Sequence, residues 1–560
     1  MLLAVVLPFE AIQPVVATGW LSLTDDKLAL LVVLGAWLTQ GWRALPTAAE
    51  RRGLLPSLVF LLVVLISARL APPQYAAEAL RYFSRLLMCA FGLLVAMRVA
   101  RQDQRQARGL VWALVVGGGL SALLGLGEAL RWQPLAPVLS QFKVAPTRVG
   151  GDLRVSASFQ YATIAAMYFE MVAPLAIVLA ATAGRRSTRL MASGFAAACT
   201  AVVVLSLTRA GMLSLVLVYA VLLVGGLTRQ TWRKVLFPTL ASATVLVAGM
   251  ALLLAHDPVF DLRLSTESDA DWYAAVYSAP PSLSLQPRQT ASVSLDIRNQ
   301  GLMTWTTSGA HPFALGYRWL TADGTGVLDV SPVEVALTHD VGPGETIHLL
   351  ATVDVPALPA GTYRLDWGML ERDVLQFYER GWADAETVVS IGPSAADVAV
   401  ALPAVLPRDD GEAPWVVGRL DLWGAAMRLI VAHPLLGVGP DDFRHLYGAE
   451  LGLETWDERV QANNLYLELL ADLGVLGLAA FAWVIARPVL TTISVWRRRG
   501  SEACRLLYLG IGLALMAFLV HGLLDSFLAF TPTALLFWML LGLASGRGEV
   551  AAQKPQVSGR

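Results

Sequence analysis

The sequence predicts an all-α polytopic membrane protein of about twelve transmembrane helices, interrupted by one inserted all-β sandwich. Three observations predict it. Of the 560 residues, 56% are hydrophobic and only 15% are charged, against roughly 25% charged in soluble domains. Apolar stretches of about 20 residues recur along the chain, and one long segment instead alternates apolar and polar residues. The net charge of −1 excludes a global basic field for nucleic acid.

The apolar stretches place the spans and their orientation. The first contains Glu10 and Pro14, which interrupt its apolar pattern. Arg- and Lys-rich loops near residues 43–52, 98–108, 185–189, 229–234 and 497–499 all fall on one side of the predicted arrangement. The positive-inside rule makes that side the cytoplasm, so segments 131–157, 257–415 and 416–463 face outward. The predicted spans are 1–20, 27–43, 54–70, 79–99, 108–130, 158–182, 189–207, 209–227, 235–255, 464–488, 503–525 and 531–546.

The inserted segment has the pattern of short strands. Residues 283–391 alternate in polarity, as in Ala291-Ser-Val-Ser-Leu-Asp-Ile-Arg298, between turns rich in Gly, Pro and Asn. This pattern predicts a sandwich of about 100 residues. The predicted organisation is helices 1–9 in 1–256, the insert in 257–415 with a linker at 392–415, an outer loop at 416–463, helices 10–12 in 464–546 and a cytoplasmic tail at 547–560.

The aromatic residues of the insert resemble a known type of domain. Asn299-Gln-Gly301 with Trp305, Gly316-Tyr-Arg-Trp319 and Gly361-Thr-Tyr-Arg-Leu-Asp-Trp367 resemble the tryptophan-bearing immunoglobulin-like domains of surface proteins. Two interpretations stay open. The rings either pack in the core of a small sandwich or form an exposed platform that stacks against carbohydrate. The rings concerned are Trp305, Tyr317, Trp319, Tyr363 and Trp367.

Polar residues at the outer membrane face are the candidates for function, because charges in or beside spans are costly. Arg209 lies between two spans, in Leu205-Ser-Leu-Thr-Arg-Ala-Gly211. Its guanidinium can bind a diphosphate in bidentate fashion, or it can snorkel at a helix end. Arg154 and Lys143, in the outer loop 131–157, are candidates for recruiting an anionic carrier.

A second polar constellation follows the insert. It comprises Arg419, Trp423, Arg428, the turn His433-Pro-Leu-Leu-Gly-Val-Gly-Pro440 and His445. Just before the next span, Gln461, Asn463 and Asn464 offer hydrogen bonds to hydroxyl groups, although Asn463 or Asn464 can equally serve as a helix N-cap.

In combination these pieces resemble the O-antigen ligase and polymerase family. The matching residues are Arg419 with Trp423, His433–Pro440, Phe443, Asn464-Leu-Tyr-Leu-Glu-Leu-Leu-Ala-Asp-Leu-Gly-Val-Leu-Gly477, Leu207-Thr-Arg-Ala-Gly211 and His521-Gly-Leu-Leu-Asp525. The resemblance implies a twelve-helix fold of the lipid-dependent glycosyltransferase type in the cytoplasmic (inner) membrane. It implies transfer of a glycan from a polyprenyl-diphosphate carrier to a sugar hydroxyl on a lipid-linked or glycan acceptor, without metal, cofactor or nucleic acid.

The resemblance implies that Arg209 binds the diphosphate, with Arg419 as a second contact. The residues themselves supply the other candidates. The catalytic candidates are Arg209, Arg419, His445 and Asn463, and the substrate-binding candidates are Arg154, Gln160, Arg428, Gln461 and Asn464. The chain departs from the family pattern at Asn463, where ligases carry a histidine. An amide accepts no proton at neutral pH, so a general base would be His445, Asp442, Glu458 or Asp457, or leaving-group stabilisation would suffice. This departure weakens the ligase interpretation specifically and leaves a polymerase, a divergent transferase or an inactive relative open.

Two other classes of function compete with the transferase. A transporter requires inverted repeats and helices broken at mid-membrane, and neither pattern is visible in the sequence. A non-catalytic glycan-binding membrane protein is favoured by the missing histidine and by the insert, whereas Arg209 and Arg419 favour an enzyme.

Overall fold

The computed structural model describes residues 1–13, 16–18, 21–23, 25–39, 46–228, 233–266, 270–331, 333–380, 384–393, 402–408, 417–497 and 501–546. The chain forms two compact units. The helical unit contains Met1–Thr147, Leu153–His256 and Arg419–Arg560, and the β unit contains Arg148–Asp152 and Asp257–Gly418. The predicted tail 547–560 and much of the predicted linker 392–415 lie outside the described residues.

The α-helices follow the apolar stretches of the sequence. Long helices form because apolar side chains cover a backbone whose polar groups are all satisfied internally. In chain order they are α1 Leu2–Val6, α2 Asp25–Leu38, α3 Ala48–Ser67, α4 Ala76–Gln102, α5 Gln104–Ala129, α6 Ala136–Leu139, α7 Ala162–Ala181, α8 Arg186–Leu205, α9 Arg209–Thr228, α10 Arg233–His256, α11 Pro258–Ser265, α12 Arg419–Ala432, α13 Phe443–Leu451, α14 Leu465–Arg497, α15 Glu502–His521 and α16 Thr531–Ser545.

Eight helices in the described part of the chain are long and apolar enough to cross a membrane, namely α4, α5, α7, α8, α9, α10, α14 and α15. They overlap the fourth to eleventh predicted spans. Helices α2, α3 and α16 overlap the second, third and twelfth. The prediction of a multi-pass membrane protein is therefore confirmed, and the count of twelve spans stays a prediction.

The first predicted span differs from the structure. Residues 1–20 do not form one helix, because α1 covers only Leu2–Val6 and is followed by a short strand pair, β1 Val16–Thr18 with β2 Leu21–Leu23. The helix ends just before Pro8, which has no N–H to continue the hydrogen-bond ladder. The charged Glu10 follows two residues later.

Helix α7 lies at the centre of the helical unit. Its apolar window is entirely buried, whereas only 28% of the corresponding window of α10 is buried. It packs against α5, α8 and α15. A polar side chain on α7 therefore faces other helices and not lipid, which makes this helix a natural support for a polar site.

The β unit contains two sheets that share one core. The larger sheet has the order β15-β9-β8-β12-β14-β6, with β10 paired to β8 and β13 paired to β12, and the smaller has the order β11-β7-β5. The strands are β5 Ala275–Ser278, β6 Ser282–Leu285, β7 Thr290–Asn299, β8 Phe313–Leu320, β9 Gly326–Leu328, β10 Val333–Ala336, β11 Thr346–Asp354, β12 Gly361–Glu371, β13 Leu375–Gln376, β14 Ala385–Ile391 and β15 Val405–Pro407.

The predicted alternation is present strand by strand. In β11 every second residue is buried, so that Ile347, Leu349, Ala351 and Val353 face the core. Strand β7 pairs antiparallel with β11 and contributes Leu295 to the same core. This is the period-2 pattern expected of a half-buried sheet.

The conspicuous aromatic rings are core residues. Trp305 and Trp367 are 0% exposed, and Trp319, Tyr317 and Tyr363 are also buried. The Tyr317 and Trp367 rings contact each other with centroids 5.3 Å apart. The core interpretation of these rings is therefore confirmed, and the exposed carbohydrate platform is wrong for them.

A hairpin from the loop before α7 belongs to the β unit. It consists of β3 Arg148–Val149 and β4 Asp152–Leu153, joined through Gly150 and Gly151. Both glycines have positive φ, 53° and 80°, as a two-residue hairpin turn of type I′ requires. A side chain at Gly150 would lie 2.9 Å from Trp272, and Val149 packs against the aromatic core.

Candidate functional site

The break between α8 and α9 presents two arginines together. Helix α8 ends at Leu205, Leu207 takes a positive φ of 52°, and α9 begins at Arg209. Arg154 reaches this break from the preceding loop, where its Nε donates to the Ser206 carbonyl at 3.0 Å and its Nη2 to Thr208 Oγ1 at 3.3 Å. The loop residue Arg154 is thereby fixed beside the helix start that carries Arg209.

The loop that carries Arg154 is anchored by a buried ion pair. Lys143 and Glu128 are in direct contact, and Lys143 Nζ also donates to Ser156 Oγ at 2.7 Å. Burial lowers the pKa of Lys143, and the Glu128 carboxylate opposes that shift. The ammonium is enclosed, so Lys143 supports the loop and is not positioned to attract a carrier.

Arg419 and Arg154 act on one carboxylate. Both guanidinium groups lie close enough to Asp525 to interact electrostatically with it, and Arg419 also acts on His521. Arg419 is the first residue of α12, and Asp525 follows the end of α15. Arg154 and Arg419, far apart in sequence, thus meet at Asp525. We define the cationic cluster as these three residues together with Arg209, which directly follows the Thr208 that Arg154 contacts.

Behind this cluster lies a fully buried polar pair. His521 Nδ1 is 3.0 Å from Glu170 Oε2, and both side chains are 0% exposed. Glu170 lies on α7, and a Cβ atom at Gly211 would be 3.4 Å from its Oε2. Gly211 is half a turn from Arg209, so the pair fixes α7, α9 and α15 around the cluster. Sequence reasoning omitted Glu170 from the candidates, although a carboxylate inside a predicted span is the expected signal.

The glycine-rich turn before α13 packs into a break in α14. Gly474 has φ of 65° inside α14 and interrupts its helical geometry. The Val438 N–H donates to the Ala471 carbonyl at 2.9 Å, and the Gly439 N–H donates to the Asp472 carbonyl at 3.0 Å. Backbone groups left open by the interrupted helix are therefore satisfied by the turn.

Close backbone contact explains the glycines at this junction. A Cβ atom at Gly437 would lie 2.2 Å from the Asp472 carbonyl carbon, and one at Gly474 would lie 2.3 Å from the Leu435 carbonyl carbon. Ser67 of α3 donates to the backbone on both sides, to Leu436 at 2.8 Å and to Asp472 at 2.9 Å. The turn and the helix break fit together only without side chains there.

Carboxylates surround the start of α13. The Asp472 carboxylate accepts the N–H groups of Asp441 and Phe443, each at 2.9 Å. Asp442 is 0% exposed, and neither carboxylate oxygen has a hydrogen-bond partner in the described part of the chain. Burial, with the nearby charge of Asp441, raises the pKa of Asp442 to about 7. Within the described ranges no group of three or more His, Cys, Asp or Glu residues could hold a metal ion.

His445, a predicted catalytic base, is committed to other contacts. Its Nε2 lies 2.8 Å from Glu78 Oε2 and its Nδ1 lies 3.0 Å from Glu458 Oε2. Its ring stacks on Tyr75 with centroids 4.0 Å apart. With both nitrogens occupied and the residue 3% exposed, the geometry favours a structural role that links α13 to α4.

The three amides before α14 have different roles. Asn464 caps the helix, because its Oδ1 accepts the Tyr466 and Leu467 N–H groups at 3.0 and 3.1 Å. Its Nδ2 donates to the Leu523 carbonyl at 3.0 Å. Its polar atoms are thus used in the fold, as the N-cap interpretation expects. Gln461 and Asn463 are half-buried, and neither side chain makes a hydrogen bond to the described residues.

The remaining predicted residues lie at other places. Arg428 is bound to Glu450 at the end of α13, where its Nη2 donates to the backbone carbonyl at 2.8 Å. Gln160 is exposed and lines a cavity of about 320 Å³. No described contact joins Arg428 to the cationic cluster, so its predicted substrate contact stays a prediction.

The fold and this site define a multi-pass membrane protein with an arginine-rich polar site among its helices. The sequence model of the O-antigen ligase family matches residues 375–482, which include α12, α13, the glycine turn and the first half of α14. This part of the chain is therefore similar to the O-antigen ligase family, in agreement with the resemblance stated above. The match also supports a glycan-transfer role in cell-envelope polysaccharide synthesis, on lipid-linked glycan substrates.

Comparisons with curated proteins and with solved structures indicate neither a fold nor a function for this chain. No curated protein matches the chain. A solved structure with some likeness is Pseudomonas fluorescens alkylpurine DNA glycosylase AlkC bound to DNA containing an abasic site analog, at 10% identity over 61% of this chain and 99% of that chain. Its TM-score of 0.14 carries no inference about fold or function.

Proposed function

We propose that the chain transfers a glycan from a polyprenyl diphosphate to a sugar hydroxyl at the outer face of the cytoplasmic (inner) membrane, as an O-antigen ligase or polymerase does. The observation that carries the proposal is the convergence of Arg154 and Arg419 on Asp525, beside the helix start at Arg209. Arginines held at a membrane boundary suit a bidentate grip on diphosphate.

In the proposed reaction the acceptor oxygen attacks the anomeric carbon of the donor. A new carbon–oxygen bond forms, the bond to the diphosphate breaks, and the electron pair leaves with the diphosphate. Arg154, Arg209 and Arg419 stabilise the charge that grows on the leaving group. No metal or cofactor takes part in this proposal.

The acceptor hydroxyl must lose its proton in the same reaction. His445 is enclosed between two carboxylates, and Asn463 is an amide. Asp525 is the carboxylate on which the cluster arginines act. We therefore assign Asp525 as the group that receives the proton, with Asn463 and Gln461 as hydrogen-bonding groups for sugar hydroxyls.

The topology that goes with this function has twelve spans, with the insert and residues 416–463 outside the cytoplasm. The insert is proposed to be an immunoglobulin-like sandwich, which the two sheets and their common core support. Because its conspicuous aromatic rings are buried, any glycan contact of this domain would use other residues.

The proposal is tested by deleting the chromosomal copy and complementing with the wild type, Arg209→Ala, Asn463→His or Arg459→Ala. Arg459 is the control, because its side chain is 82% exposed and paired with Asp457. Surface glycans are compared by gel and protein insertion by immunoblot. We expect Arg209→Ala to insert normally and fail to restore the glycan, whereas Arg459→Ala restores it.

The carrier-linked intermediates separate the two kinds of transferase. Single repeats that accumulate on the carrier in the deletion strain indicate a polymerase, and long chains indicate a ligase. Full restoration by Arg209→Ala contradicts the diphosphate role. In that case a non-catalytic glycan-binding protein becomes the better explanation, since the enclosed His445 and the amide at 463 already remove two potential bases.

A further inference from the structure

The cavity of about 320 Å³ in the helical unit has walls of mixed chemistry. Three phenylalanines, Phe142, Phe159 and Phe530, provide aromatic surface. Gln160 and Ser158 add polar groups to the same walls. Cavities with largely apolar walls and a few convergent polar groups are typical of binding sites for small molecules or parts of larger ones.

Arg85 brings a positive charge to the cavity, whose lining also includes the carboxylate of Glu10. It is a half-buried residue inside α4 that lines the cavity, and its side chain makes no hydrogen bond or ion pair with the described residues. Its charge reaches Asp441, but that carboxylate is already paired with Arg444 at 3.3 Å. An arginine within a membrane helix normally faces an anion or a polar partner. An anionic ligand in the cavity would provide Arg85 with such a partner.

Part of the cavity wall is built by anchored segments. The Ser158 hydroxyl donates to the Pro8 carbonyl at 2.5 Å, and the Ile12 N–H donates to the Gln141 carbonyl at 2.9 Å. These bonds hold residues 8–12 against the loop before α7. The cavity is therefore a formed part of the fold and not a gap between loose segments.

Two stretches of chain connect this cavity to the cationic cluster. One runs from Arg154 to Gln160, and the other runs from Asp525 to Pro532. Each has one end in the cluster and the other end in the cavity wall. A ligand in the cavity would accordingly contact the same two segments that carry Arg154 and Asp525.

We propose that the cavity binds an acidic sugar residue of the acceptor glycan. The carboxylate or phosphate of that sugar lies against Arg85, and its ring packs against the phenylalanines. The identification of the bound sugar as part of the acceptor rests on the proposed transferase function. Binding of an anionic sugar by the cavity does not depend on that function. Arginine suits either anion, because its fork of donors matches both.

The test measures sugar binding to the full-length chain in lipid nanodiscs by saturation-transfer NMR, with glucuronate, glucose 6-phosphate, glucose and inorganic phosphate as probes. We expect an anionic sugar to bind at least about tenfold more tightly than glucose, and Arg85→Gln to remove that preference. The preferred anionic probe distinguishes a carboxylate from a phosphate ligand.

Arg81→Ala is the matched control. Arg81 lies one turn earlier on α4, its side chain is 72% exposed, and it is paired with Glu78 at 3.7 Å. We expect this variant to bind as the wild type does. Phe530→Leu provides a second perturbation that leaves Arg85 in place, and it should weaken binding of every sugar while sparing the preference for the anionic one.

Equal binding of glucose and the anionic sugars, or unchanged binding by Arg85→Gln, overturns the proposal. So does inorganic phosphate that binds as tightly as glucose 6-phosphate, since the ring would then contribute nothing. Arg209→Ala separates this inference from the transferase proposal. If it keeps the Arg85-dependent preference, and neither it nor the wild type transfers glycan, then the cavity inference stands and the transferase proposal fails.

Discussion

Replacing Gly437 by alanine tests the junction between the glycine turn and α14. Gly437 has φ of 67°, a conformation that costs an L-residue about 1–2 kcal/mol. The added Cβ would also lie 2.2 Å from the backbone of Asp472. Because backbone cannot swing aside like a side chain, relieving that overlap should cost a further ~1–3 kcal/mol.

Gly452→Ala separates the two contributions. Gly452 has φ of 75°, close to that of Gly437, and no atom lies within 4 Å of its Cβ position. Gly452→Ala should therefore reduce the free energy of unfolding only by the cost of the positive φ, about 1–2 kcal/mol. We therefore expect Gly437→Ala to destabilise the chain by about 1–3 kcal/mol more than Gly452→Ala does.

The assay is reversible unfolding of the purified full-length chain in mixed micelles, followed by tryptophan fluorescence. Gly474→Ala is the partner variant, since its Cβ would meet Leu435 across the same junction. If the two contacts form one junction, the double variant should lose less stability than the sum of the single variants. A Gly437→Ala variant no less stable than Gly452→Ala would refute the argument from close backbone approach.

Three further outcomes are expected. Asp525→Asn should lower the transfer rate by roughly 10²–10⁴-fold in nanodiscs without loss of donor binding, and a rate near that of the wild type would remove Asp525 as proton acceptor. Burial raises the pKa of Asp442 to about 7 from 3.8, so its protonation favours the folded state. That contribution, up to about 4 kcal/mol, is complete below pH ~4 and is lost as the pH rises towards ~7. Unfolding of Asp442→Asn across that range should be flatter than that of the wild type, and an unchanged pH slope would contradict this. Trp367→Ala should cost about 3–5 kcal/mol, whereas Leu350→Ala, 67% exposed in β11, should cost little. Hydrogen exchange of the β strands measures both, and equal effects would contradict the core role of Trp367.

Much of the fold follows from local chemistry. Apolar runs locate most of the helices because only a helix satisfies its own backbone in lipid. Polar alternation located the strands. The place of Asn463 and Asn464 before an apolar run predicted that one of them is an N-cap, and the structure assigns that role to Asn464. The prediction of a first span over 1–20 was wrong. Its residues are mostly apolar, but Pro8 and Glu10 follow the short helix α1 and interrupt the pattern.

The site was only partly predictable, because its contacts join distant segments. Arg154, Arg209 and Arg419 were identifiable as costly charges, but the approach of Arg154 and Arg419 to Asp525 depends on how distant segments pack. His445 looked like a base because its identity is visible in sequence. The two carboxylates that enclose it belong to Glu78 and Glu458. No local sequence pattern predicts that these residues contact His445.

The Gly150–Gly151 hairpin changes how separable the insert is. Residues 148–152 come from a loop that precedes the insert by about a hundred positions, yet they belong to the β unit. A gene fragment encoding only 257–418 would omit Val149, which packs against the aromatic core. Residues 257–418 alone therefore do not contain the complete domain. An engineer who moves the domain must therefore carry the hairpin along.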